Sequence, residues 1–335
     1  MTFRFMPVIS QQSRGSIASR QNSRPLVSVI VPSYNGSRTI RRALESLMAQ
    51  DIASPYEVIV VDSSSDGTDS VVRQEFTWVQ LMRRDTKTPT GAARNLGVAQ
   101  GRGDIIAFMD QDCVADRSWL RRLVAAHGSN VAGVGGSVAN GNPRSLVGWA
   151  SFLMEFARFA PSSPRGPVSD IVGCNSSYKR WVFEKHGFHH DGHFTGEDAE
   201  FNRRLLEGGE RLLFEPGAVV WHLNREGMGD FLRHMRYMGG SVGLLRLVSG
   251  MPHSCLARRW WLAAAVLPYR VGRIAARGLR WHLRDAWRLP AILPLLAVGF
   301  IAFSIGELGA TRSPILSEAR AALASATRAR ARSDR

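Results

Sequence analysis

The sequence predicts an α/β protein built on a mostly parallel sheet flanked by helices. From residue 26 onward, short apolar runs alternate with amphipathic stretches, which is the pattern of strands covered by helices. Three of the apolar runs end in polar residues, at the edge where such folds bind ligands. With 335 residues, 44% of them hydrophobic, the chain can bury a substantial core, which excludes disorder throughout.

Five apolar runs have the length and the flanking turn residues of strands. They cover residues 26–31, 56–62, 78–82, 104–110 and 131–138. Between the first two runs, apolar residues repeat at helical spacing: Ile40, Ala43, Leu44, Leu47 and Met48. Ser37 is the expected N-cap of this helix, which ends near Asp51.

For the next part of the chain, the sequence predicts two more helices and a strand. A helix is expected over residues 145–159, followed by a Pro/Ser/Gly loop through Pro167. Another begins near Glu197 and ends at Gly208-Gly209, because glycine commonly follows a helix C-terminus. A strand over 218–221 then leads to His222.

The composition changes beyond Asp230. From Arg225 to the C-terminus there are 18 arginines, no lysine and six acids, within a chain of net charge +15. Such an excess usually marks an anionic partner, either nucleic acid or an acidic membrane surface. The arginines surround apolar segments at 260–269 and 289–306 rather than a recognition motif. We therefore predict a helical, partly hydrophobic, membrane-associating region over 231–335, and no nucleic-acid partner.

The segment 289–306 is an uncharged run of 18 residues, just long enough to cross a hydrocarbon core. Arginines lie at both of its ends, so the positive-inside bias gives no clean orientation. A membrane span, a hairpin or interfacial helix, and a buried core helix all remain open.

Two features indicate the compartment. Residues 1–25 are polar and lack the apolar core of a signal peptide, so we expect a disordered lead-in. Cys113, Cys174 and Cys255 have no metal-ligand spacing, and their odd number argues against a disulfide framework. A reducing cytoplasm is the expected surrounding.

The pair Asp110 and Asp112 is the first candidate for metal binding. If the strand continues through both residues, their carboxylates point to the same side. Mg²⁺ and Mn²⁺ take oxygen ligands and commonly bind through one or two carboxylates plus substrate phosphates. A D-x-D pair alone is weak evidence, but its position at the end of an apolar strand favours a metal site. His222 could complete the site as a neutral imidazole.

Four other residues are candidates because of their chemistry. Asp62 closes a strand and can accept hydrogen bonds from a nucleotide base. Arg94 lies in a glycine-rich stretch that does not match the dinucleotide pattern, and it could contact a diphosphate. Glu197 and Asp198 begin a helix, where acids also serve as caps. Because an acceptor hydroxyl needs a general base, we assign that role to Asp198, with Glu197 as the alternate.

Taken together, the residues resemble family 2 glycosyltransferases of the GT-A fold. The matching blocks, in the family's order from residue 26 to 222, are VSVIVPSYNGSRTIRRALESL, VIVVDSSSDGT, GAARNLGVAQGRGDIIAFMDQDC, GCNSSYKR and GEDAEFNRRLLEGGERLLFEPGAVVWH. Five ordered blocks are far more specific than any single motif.

The resemblance implies a site and a reaction. Residues 26–133 would form the nucleotide-sugar-binding half, and residues 134–230 the acceptor and catalytic half. The implied donor contacts are Pro32, Tyr34, Asn35, Asp62, Arg94 and Asp110. A divalent ion, Mg²⁺ or Mn²⁺, would lie on the donor's diphosphate at Asp110 and Asp112, close to His222. The implied reaction is inverting transfer, with a uridine nucleotide as the family's commonest donor.

The acceptor is implied less directly. The segment RHMRYMGG is similar to the Q-x-x-R-W element of processive synthases, but Arg233 replaces the glutamine and Tyr237 the tryptophan, which argues for a non-processive enzyme. Arg233, Arg236 and, in GCNSSYKR, Asn175 are candidates for acceptor or diphosphate contacts. Membrane association suits a lipid-linked or cell-envelope glycan, at the cytoplasmic side of the membrane.

Two other functions stay open at this point. A nucleotide-sugar-binding protein without turnover would use the same acids only for affinity. A nucleotidyltransferase on a related core would release pyrophosphate instead of a nucleoside diphosphate.

Overall fold

The computed structural model describes residues 24–128, 130–189, 196–249, 254–314 and 316–317. The predicted lead-in therefore lies almost entirely outside the described residues, as does the end of the basic C-terminal region. Within the described residues the strands form one sheet in the order β3-β2-β1-β4-β8-β6-β9-β5, with β7 paired to β9.

The first half of the sheet is parallel, as predicted. Its elements are β1 (Val27–Ser33), α1 (Ile40–Met48), β2 (Tyr56–Asp62), α2 (Thr68–Glu75), β3 (Gln80–Arg83), α3 (Thr90–Gln100) and β4 (Ile105–Met109). The strand β1 is buried along its whole length, which explains its mostly apolar sequence; the hydroxyl of its buried Ser28 donates to Glu57. The N-cap of α1 is Thr39 and not Ser37, because residues 36–39 form a turn before the helix, in which the N–H groups of Thr39 and Ile40 donate to the carbonyl of Gly36.

The second half of the sheet is mixed. Its elements are β5 (Cys113–Ala115), α4 (Trp119–Ala126), β6 (Gly133–Asn140), α5 (Leu146–Phe156), β7 (Gly166–Val168), β8 (Asn175–Lys179), α6 (Trp181–His186), α7 (Glu197–Glu207) and β9 (Leu212–His222). The strand β8 runs antiparallel to both of its neighbours, β4 and β6. It reads NSSYK, so it has no apolar run from which a strand could be predicted.

Two of the predicted helices in this half are present with small changes in their ends. Ser145 caps α5, and its hydroxyl accepts from the Gly148 N–H at 2.9 Å. The helix ends at Phe156, three residues earlier than predicted. The helix α7 is followed by Gly208 and by Gly209 with φ 82°, in agreement with the glycine stop signal.

The described part of the C-terminal region contains four α-helices: α8 (Met228–Ser249), α9 (Trp260–Ala265), α10 (Leu267–Trp281) and α11 (Leu289–Gly309). The backbones of α8 and α11 touch, because a Cβ on Gly239 would overlap the carbonyl oxygen of Phe303 and one on Gly306 would overlap that of Arg236. Small residues permit this close approach. The predicted apolar segment 260–269 is divided between α9 and α10.

The helix α11 is half covered by the rest of the protein. Leu289, Ile292, Leu296 and Phe300 belong to the main hydrophobic core. The opposite side exposes Leu293, Val298, Ile301 and Ile305. By length and composition the helix could cross a membrane, and only 33% of its most apolar stretch is buried. It is therefore not the fully buried core helix that the sequence left open.

A buried acid connects three of these helices. Glu307 on α11 is fully buried and pairs with Arg270 of α10 at 2.8 Å and with Arg246 of α8. Removing one partner of such a group leaves a buried charge uncompensated, which is strongly destabilising. The ion cluster therefore fixes the relative positions of α8, α10 and α11.

Candidate active site

The candidate site lies where β1 and β4 separate. The β1–β4 ladder ends at the pair Ile30 and Phe108, whereas the β1–β2 ladder continues to Ser33 and Asp62. Pro32, which has no N–H to donate, occupies the part of β1 beyond β4. Because β2 and β3 lie on one side of β1 and β4 lies on the other, this is the topological switch point where open α/β sheets bind ligands.

The acids at 110 and 112 lie on a turn. The strand β4 ends at Met109 and does not continue through both acids, since the N–H of Cys113 donates to the carbonyl of Asp110 at 3.0 Å. The side chain of Gln111, between the two acids, holds this turn against the loop after β1. Gln111 accepts from the Ser33 hydroxyl at 2.6 Å and donates to the carbonyl of Tyr34 at 2.9 Å.

Asp112 faces His222 across neighbouring strands. The strand β5 is antiparallel to β9, with Cys113 opposite His222. The Nε2 atom of His222 lies 3.5 Å from Oδ1 of Asp112. Sequence analysis predicted this pair, and the structure brings the two residues together.

The tautomer of His222 follows from its other contacts. The Nδ2 group of Asn224 donates to Oδ1 of Asn140 and to the carbonyl of His222, both at 2.9 Å. Its Oδ1 therefore faces Nδ1 of His222, also at 2.9 Å, and Nδ1 must carry the proton. A neutral His222 then directs the lone pair of Nε2 toward the Asp112 carboxylate. Two acceptors facing each other fit a cation between them.

Cys113 lies in the same group but does not suit the ion. The ligand atoms of Asp112, Cys113 and His222 lie within 4.8 Å of one another. Burial raises the pKa of the Cys113 thiol well above its usual value, and the nearby thiol of Cys174 adds to the shift. A neutral thiol is a poor ligand for the hard cations Mg²⁺ and Mn²⁺. The residues that fit the ion are Asp112 and His222. Asp110, also predicted as a ligand, lies outside this group, and its Oδ1 atom is held by Arg94.

Arg94 connects the metal side of the site to the start of α7. Its guanidinium is 3% exposed, and contacts Glu197 Oε1 at 2.6 Å and Asp110 Oδ1 at 3.2 Å. Gly173 makes this position possible, because a Cβ there would crowd the guanidinium. Burial raises the pKa of Asp110, and the charge of Arg94 opposes that shift. Arg94 therefore braces two acids from inside the protein.

The two acids at the start of α7 differ in access. Glu197 is buried and held by Arg94, and burial raises its pKa to about 7 against the opposing charge of Arg94. Asp198 is only half-buried, and its Oδ2 accepts from the Gly173 N–H at 2.8 Å. Of the two, Asp198 is the more accessible carboxylate.

The loop after β1 supplies the remaining donor-side candidates. Tyr34 is exposed, and the Nζ atom of Lys87 lies 4.6 Å from its ring centroid. Asn35 has φ 51°, and its Oδ1 accepts from the Ser65 N–H at 2.9 Å, so its side chain joins this loop to the one after β2. The carboxylate of Asp62 is fully buried and accepts hydrogen bonds from Ser64.

Three other candidates do not converge on this edge. Asn175 is fully buried. Its side-chain amide accepts a hydrogen bond from Trp119 Nε1 and donates to the carbonyls of Ser137 and Ala218. It therefore joins strands and is not available to a ligand. Arg233 is exposed and pairs with Asp230 three residues earlier.

Arg236 is the third of these candidates. It is exposed on the same helix, α8, as Arg233. Among the described residues it has no ion pair with a carboxylate, and the structure therefore assigns it no partner in the site.

Sequence analysis gave no role to two residues that hold the site in place, Gln111 and Asn224. Gln111 stands between the two acids, so the D-x-D motif treats it as a spacer. Asn224 lies two residues beyond His222, in a segment without a regular hydrophobic pattern. The only available signal was its proximity to a candidate metal ligand, because such histidines usually have a hydrogen-bonding partner on the second nitrogen.

The fold defines the class of the protein. A mannosyltransferase from Pyrobaculum calidifontis, solved in complex with GDP-Man and Mn²⁺, superposes with a TM-score of 0.57 at 19% identity, covering 88% of this chain and 94% of that one. At this identity the likeness shows the fold alone. The protein has the GT-A fold of glycosyltransferases.

Sequence comparison gives the family. Residues 28–187 match the profile of glycosyl transferase family 2. Glycosyltransferase AglE of Haloferax volcanii is 29% identical over 251 residues, which cover 73% of this chain and 82% of AglE. The pre-mycofactocin glycosyltransferase of Mycobacterium tuberculosis is 32% identical over 65% of this chain, which spans 47% of that relative's length. Residues 28–187 therefore form a glycosyl transferase family 2 domain, and the protein is a glycosyltransferase.

Proposed function

We propose that this enzyme is an inverting, divalent-metal-dependent glycosyltransferase that moves a sugar from a nucleotide-diphosphate donor, most simply a UDP-sugar, to a hydroxyl acceptor. The main support is the bridge that Arg94 forms between Asp110 and Glu197. It keeps the accessible acid Asp198 close to the acid–histidine pair Asp112 and His222. A base and a diphosphate-binding group are then present at one edge of the sheet.

In this mechanism Asp198 accepts the proton of the acceptor hydroxyl. The hydroxyl oxygen forms a bond to the anomeric carbon while the bond from that carbon to the diphosphate oxygen breaks, and the electron pair leaves with the nucleoside diphosphate. The Gly173 N–H donates to Asp198 Oδ2, which fixes the carboxylate before the acceptor binds. Mg²⁺ or Mn²⁺ held by Asp112 and His222, with Asp110 nearby, would neutralise the departing diphosphate.

The donor nucleotide binds, in this proposal, along the loops after β1 and β2. The exposed ring of Tyr34 offers a face for the base, and the nearby Lys87 offers a positive charge. Asn35 and Gln111 keep the loop in place through their hydrogen bonds. The Asp62 carboxylate is fully buried, so it can contact the base only if the residues that cover it move when the donor binds.

The first experiment measures thermal stabilisation of the protein by a panel of nucleoside diphosphates and nucleotide sugars, with and without Mn²⁺. A specific ligand raises native-state stability by RT ln(1 + L/Kd), where L is the concentration of free ligand, so a tighter ligand gives a larger shift at the same concentration. We expect one nucleotide class to raise Tm only when the metal is present. A folded sample that responds to none of these ligands would contradict the proposal.

Turnover is tested with Asp198→Asn, because the amide keeps the shape and loses the base. We expect transfer to fall about 10²- to 10⁴-fold, the usual contribution of a general base, with donor binding unchanged. Glu207→Gln is the matched control, since Glu207 is on the exposed side of the same helix. A selective loss of donor affinity in Asp198→Asn would remove Asp198 from the role of base.

The released product distinguishes the other two functions. Release of a nucleoside diphosphate supports glycosyl transfer, and release of pyrophosphate would indicate a nucleotidyltransferase. Nucleotide binding without any product, in the presence of a broad range of hydroxyl acceptors, would indicate a binding protein.

We further propose that the enzyme works at the cytoplasmic side of an anionic membrane, on a lipid-linked or cell-envelope glycan. The supporting surface lies on α9, the segment after α10, and α11. It exposes Trp260, Trp261, Leu283, Trp287, Val298, Ile301 and Ile305. Arginines lie over two of the rings, Arg259 over Trp261 and Arg288 over Trp287. Aromatic and aliphatic side chains flanked by cations suit the interface of an acidic bilayer.

Flotation with lipid vesicles tests this surface. Replacing Trp260 and Trp287 with serine removes two large exposed rings, 71% and 72% exposed, without disturbing the core. We expect binding to phosphatidylglycerol-containing vesicles to fall about 10-fold or more, since each ring contributes apolar area at about 25 cal/mol per Å². Unchanged binding would show that these helices do not face the membrane.

A further inference from the structure

The helix α11 is packed on three other helices along its length. Near its N-terminus, Leu289 lies against Gly278 of α10, where an added Cβ would come within 3.2 Å of the leucine. In its middle, a Cβ on Gly299 would lie 2.6 Å from the Sδ atom of Met154 on α5 and equally close to the ring of Phe231 on α8. Its C-terminal half is in backbone contact with α8. Each part of α11 is therefore attached to the rest of the protein.

Ion pairs hold the C-terminal end of α11. The buried carboxylate of Glu307 pairs with Arg270 of α10 at 2.8 Å and with Arg246 of α8. Arg270 also donates to the Ser304 hydroxyl at 3.1 Å. If α11 left these partners to enter a bilayer alone, the carboxylate would lose both counter-charges inside hydrocarbon, where acids are costly. The helix can therefore cross a membrane only together with α8 and α10.

The neighbours of α11 are not suited to hydrocarbon. Among the described residues, α11 is the only helix that is long and apolar enough to cross a membrane. Arg236 is exposed on α8, and Arg273 and Arg280 are exposed on α10. The helix α5 is fixed to the sheet, since its Phe156 packs on His222 with 4.6 Å between the ring centroids. Charged helices that are attached to the sheet in this way do not enter a bilayer with α11.

The outer side of α11 is a continuous apolar stripe. Its members are exposed and recur at every third or fourth position: Pro290, Pro294, Val298, Ile301 and Ile305. This spacing places them on one side of the helix, along about 22 Å of its axis. Exposed arginines, Arg284 and Arg312, lie before and after the helix. In a helix that lies flat, both ends meet the same anionic headgroups, which accounts for cations at both ends.

We propose that α11 does not cross the membrane but lies flat in one leaflet of an anionic membrane, with its outer stripe among the acyl chains and both of its ends on the same side. Such helices bury their apolar side by about 5–10 Å at the boundary between headgroups and acyl chains. Trp287, 72% exposed, comes just before the stripe, so the same leaflet is expected to cover both. The inference rests on the proposed function through its membrane surface and uses none of the catalytic residues.

Depth in the lipid distinguishes a flat helix from a spanning one. A fluorophore is attached at Ala291→Cys, Val298→Cys or Gly309→Cys, each in a Cys255→Ser background that lacks the exposed cysteine and keeps the two buried ones. The three positions are exposed and lie on one side of α11, about 10 Å and about 16 Å apart along its axis. Val298 is near the middle of the helix and would lie deepest in a span. Vesicles containing phosphatidylglycerol and lipids brominated at shallow or deep acyl positions report the depth of each label.

We expect the shallow bromines to quench all three labels more strongly than the deep ones, by roughly 2-fold or more, because a flat helix keeps every label near the interface. Deep quenching at Val298→Cys, with shallow quenching at the other two positions, would overturn the inference in favour of a span. Labels that are not quenched in vesicle-bound protein would also overturn it, because the stripe would then face protein, such as a second copy of this chain.

The side on which α11 ends gives an independent measurement. Thr311, just after α11, and Ser70, on α2, are both exposed, and each is replaced by cysteine in the same background. A membrane-impermeant maleimide is applied to bacterial spheroplasts that produce either variant, before and after lysis. We expect both cysteines to react only after lysis. Reaction of Thr311→Cys but not Ser70→Cys in intact spheroplasts would contradict the inference, since the end of α11 would have crossed.

Nucleotide-dependent thermal stabilisation with Mn²⁺, measured on every variant, separates this inference from the proposed function. If the response is retained and the labels show a span, the glycosyltransferase function stands and only the flat arrangement of α11 is wrong. If the response is missing in the unmodified protein, the proposed reaction fails, while the label depths still decide the arrangement of α11. Protein that does not bind the vesicles at all would remove both the membrane surface and this inference.

Discussion

At the scale of single residues, the site depends on side chains that hold other side chains. Asp112 and His222 are the groups that fit a cation, but their geometry is set by Asn224 and Gln111. Outer partners of this kind fix the tautomer and orientation of a metal ligand. The chemistry therefore belongs to a network and not to the acids alone.

Replacing Asn224 with leucine should weaken metal binding about 10- to 100-fold, the usual effect of losing an outer partner of a ligand. Without the Oδ1 acceptor, the proton of His222 is free to move to Nε2, where it would block the ion. The measurement is the Mn²⁺ concentration needed for nucleotide-dependent stabilisation. Asn224→Asp keeps an acceptor for Nδ1 and should lose less. An unchanged Mn²⁺ requirement in Asn224→Leu would remove His222 from the metal site.

The site residues that could be predicted from sequence are polar residues of a suitable chemical type that stand at the end of an apolar run. Asp110 and Asp112 follow an apolar run, and His222 ends another one, so strand-end reasoning finds them. Asn175 shows the limit of that reasoning, because only the packed structure reveals that Trp119 and two carbonyls use its amide. The hydrogen bonds of an amide depend on residues far away in sequence.

At the scale of elements, two of the contacts of helix α8 hold it in place. The first is the pair formed by Glu155 of α5 and His234 of α8, 3.1 Å apart. Burial alone would raise the pKa of Glu155, but the charge and hydrogen bond of His234 outweigh it and lower that pKa to about 2. The second is the close packing of α8 against α11.

The lowered pKa of Glu155 makes stability depend on pH. A carboxyl whose pKa is lower in the folded state than in the unfolded chain stabilises the fold above its unfolded value, 4.5, and this is lost as pH falls toward about 2. Glu155→Gln should therefore reduce the free energy of unfolding by roughly 1–3 kcal/mol near pH 5, and by less at pH 3. Urea unfolding at the two pH values measures this difference.

Glu207→Gln serves as the control for that experiment. Glu207 is an exposed acid, 62% exposed, paired with Arg203 one turn away. Exposed pairs of this kind contribute about 0–1 kcal/mol, so its removal should change stability little at either pH. A Glu155→Gln variant that behaves in the same way would mean that the pair with His234 does not attach α8 to α5.

Neighbouring glycines on α8 test the packing against α11. A Cβ on Gly239 would overlap the backbone of Phe303, whereas one on Gly240 would lie 3.6 Å from the carbonyl of Gly306, at an ordinary contact distance. Gly239→Ala should destabilise the protein by about 1–3 kcal/mol through overpacking. Gly240→Ala should be neutral or slightly stabilising, because alanine is the better helix former by up to about 1 kcal/mol.

Thermal unfolding of the two variants side by side measures the contrast. Equal Tm values would mean that α8 and α11 are not in backbone contact. Sequence analysis predicted a helical region here but not this packing, because glycine lowers helix propensity and gives no indication of its partner. The apolar segments 260–269 and 289–306 were correctly located from the sequence. The arginines between them gave no sign that one, Arg270, points inward to Glu307.

At the scale of the whole molecule, the sheet and most of the excess positive charge lie in different parts of the chain. The apolar runs of β1 to β4 made the parallel half of the sheet predictable, while the polar β8 and the antiparallel returns of the second half carry no such pattern. The basic surplus lies almost wholly beyond Arg225, outside the sheet. Donor binding and membrane binding should therefore respond to different conditions.

Salt is the variable that separates them. Exposed arginines are attracted to anionic lipid by about 1 kcal/mol each, and this attraction decreases as the Debye length shortens from about 10 Å at 0.1 M salt to about 3 Å at 1 M. The exposed tryptophans and the aliphatic side of α11 bind through apolar burial, which salt does not screen. We expect high salt to release part of the protein from phosphatidylglycerol vesicles and to leave a salt-resistant fraction. On pure phosphatidylcholine vesicles, binding should be weaker and independent of salt. Complete release would mean that only the arginines bind and that α11 stays out of the lipid, whereas no release would mean that the arginines do not face it.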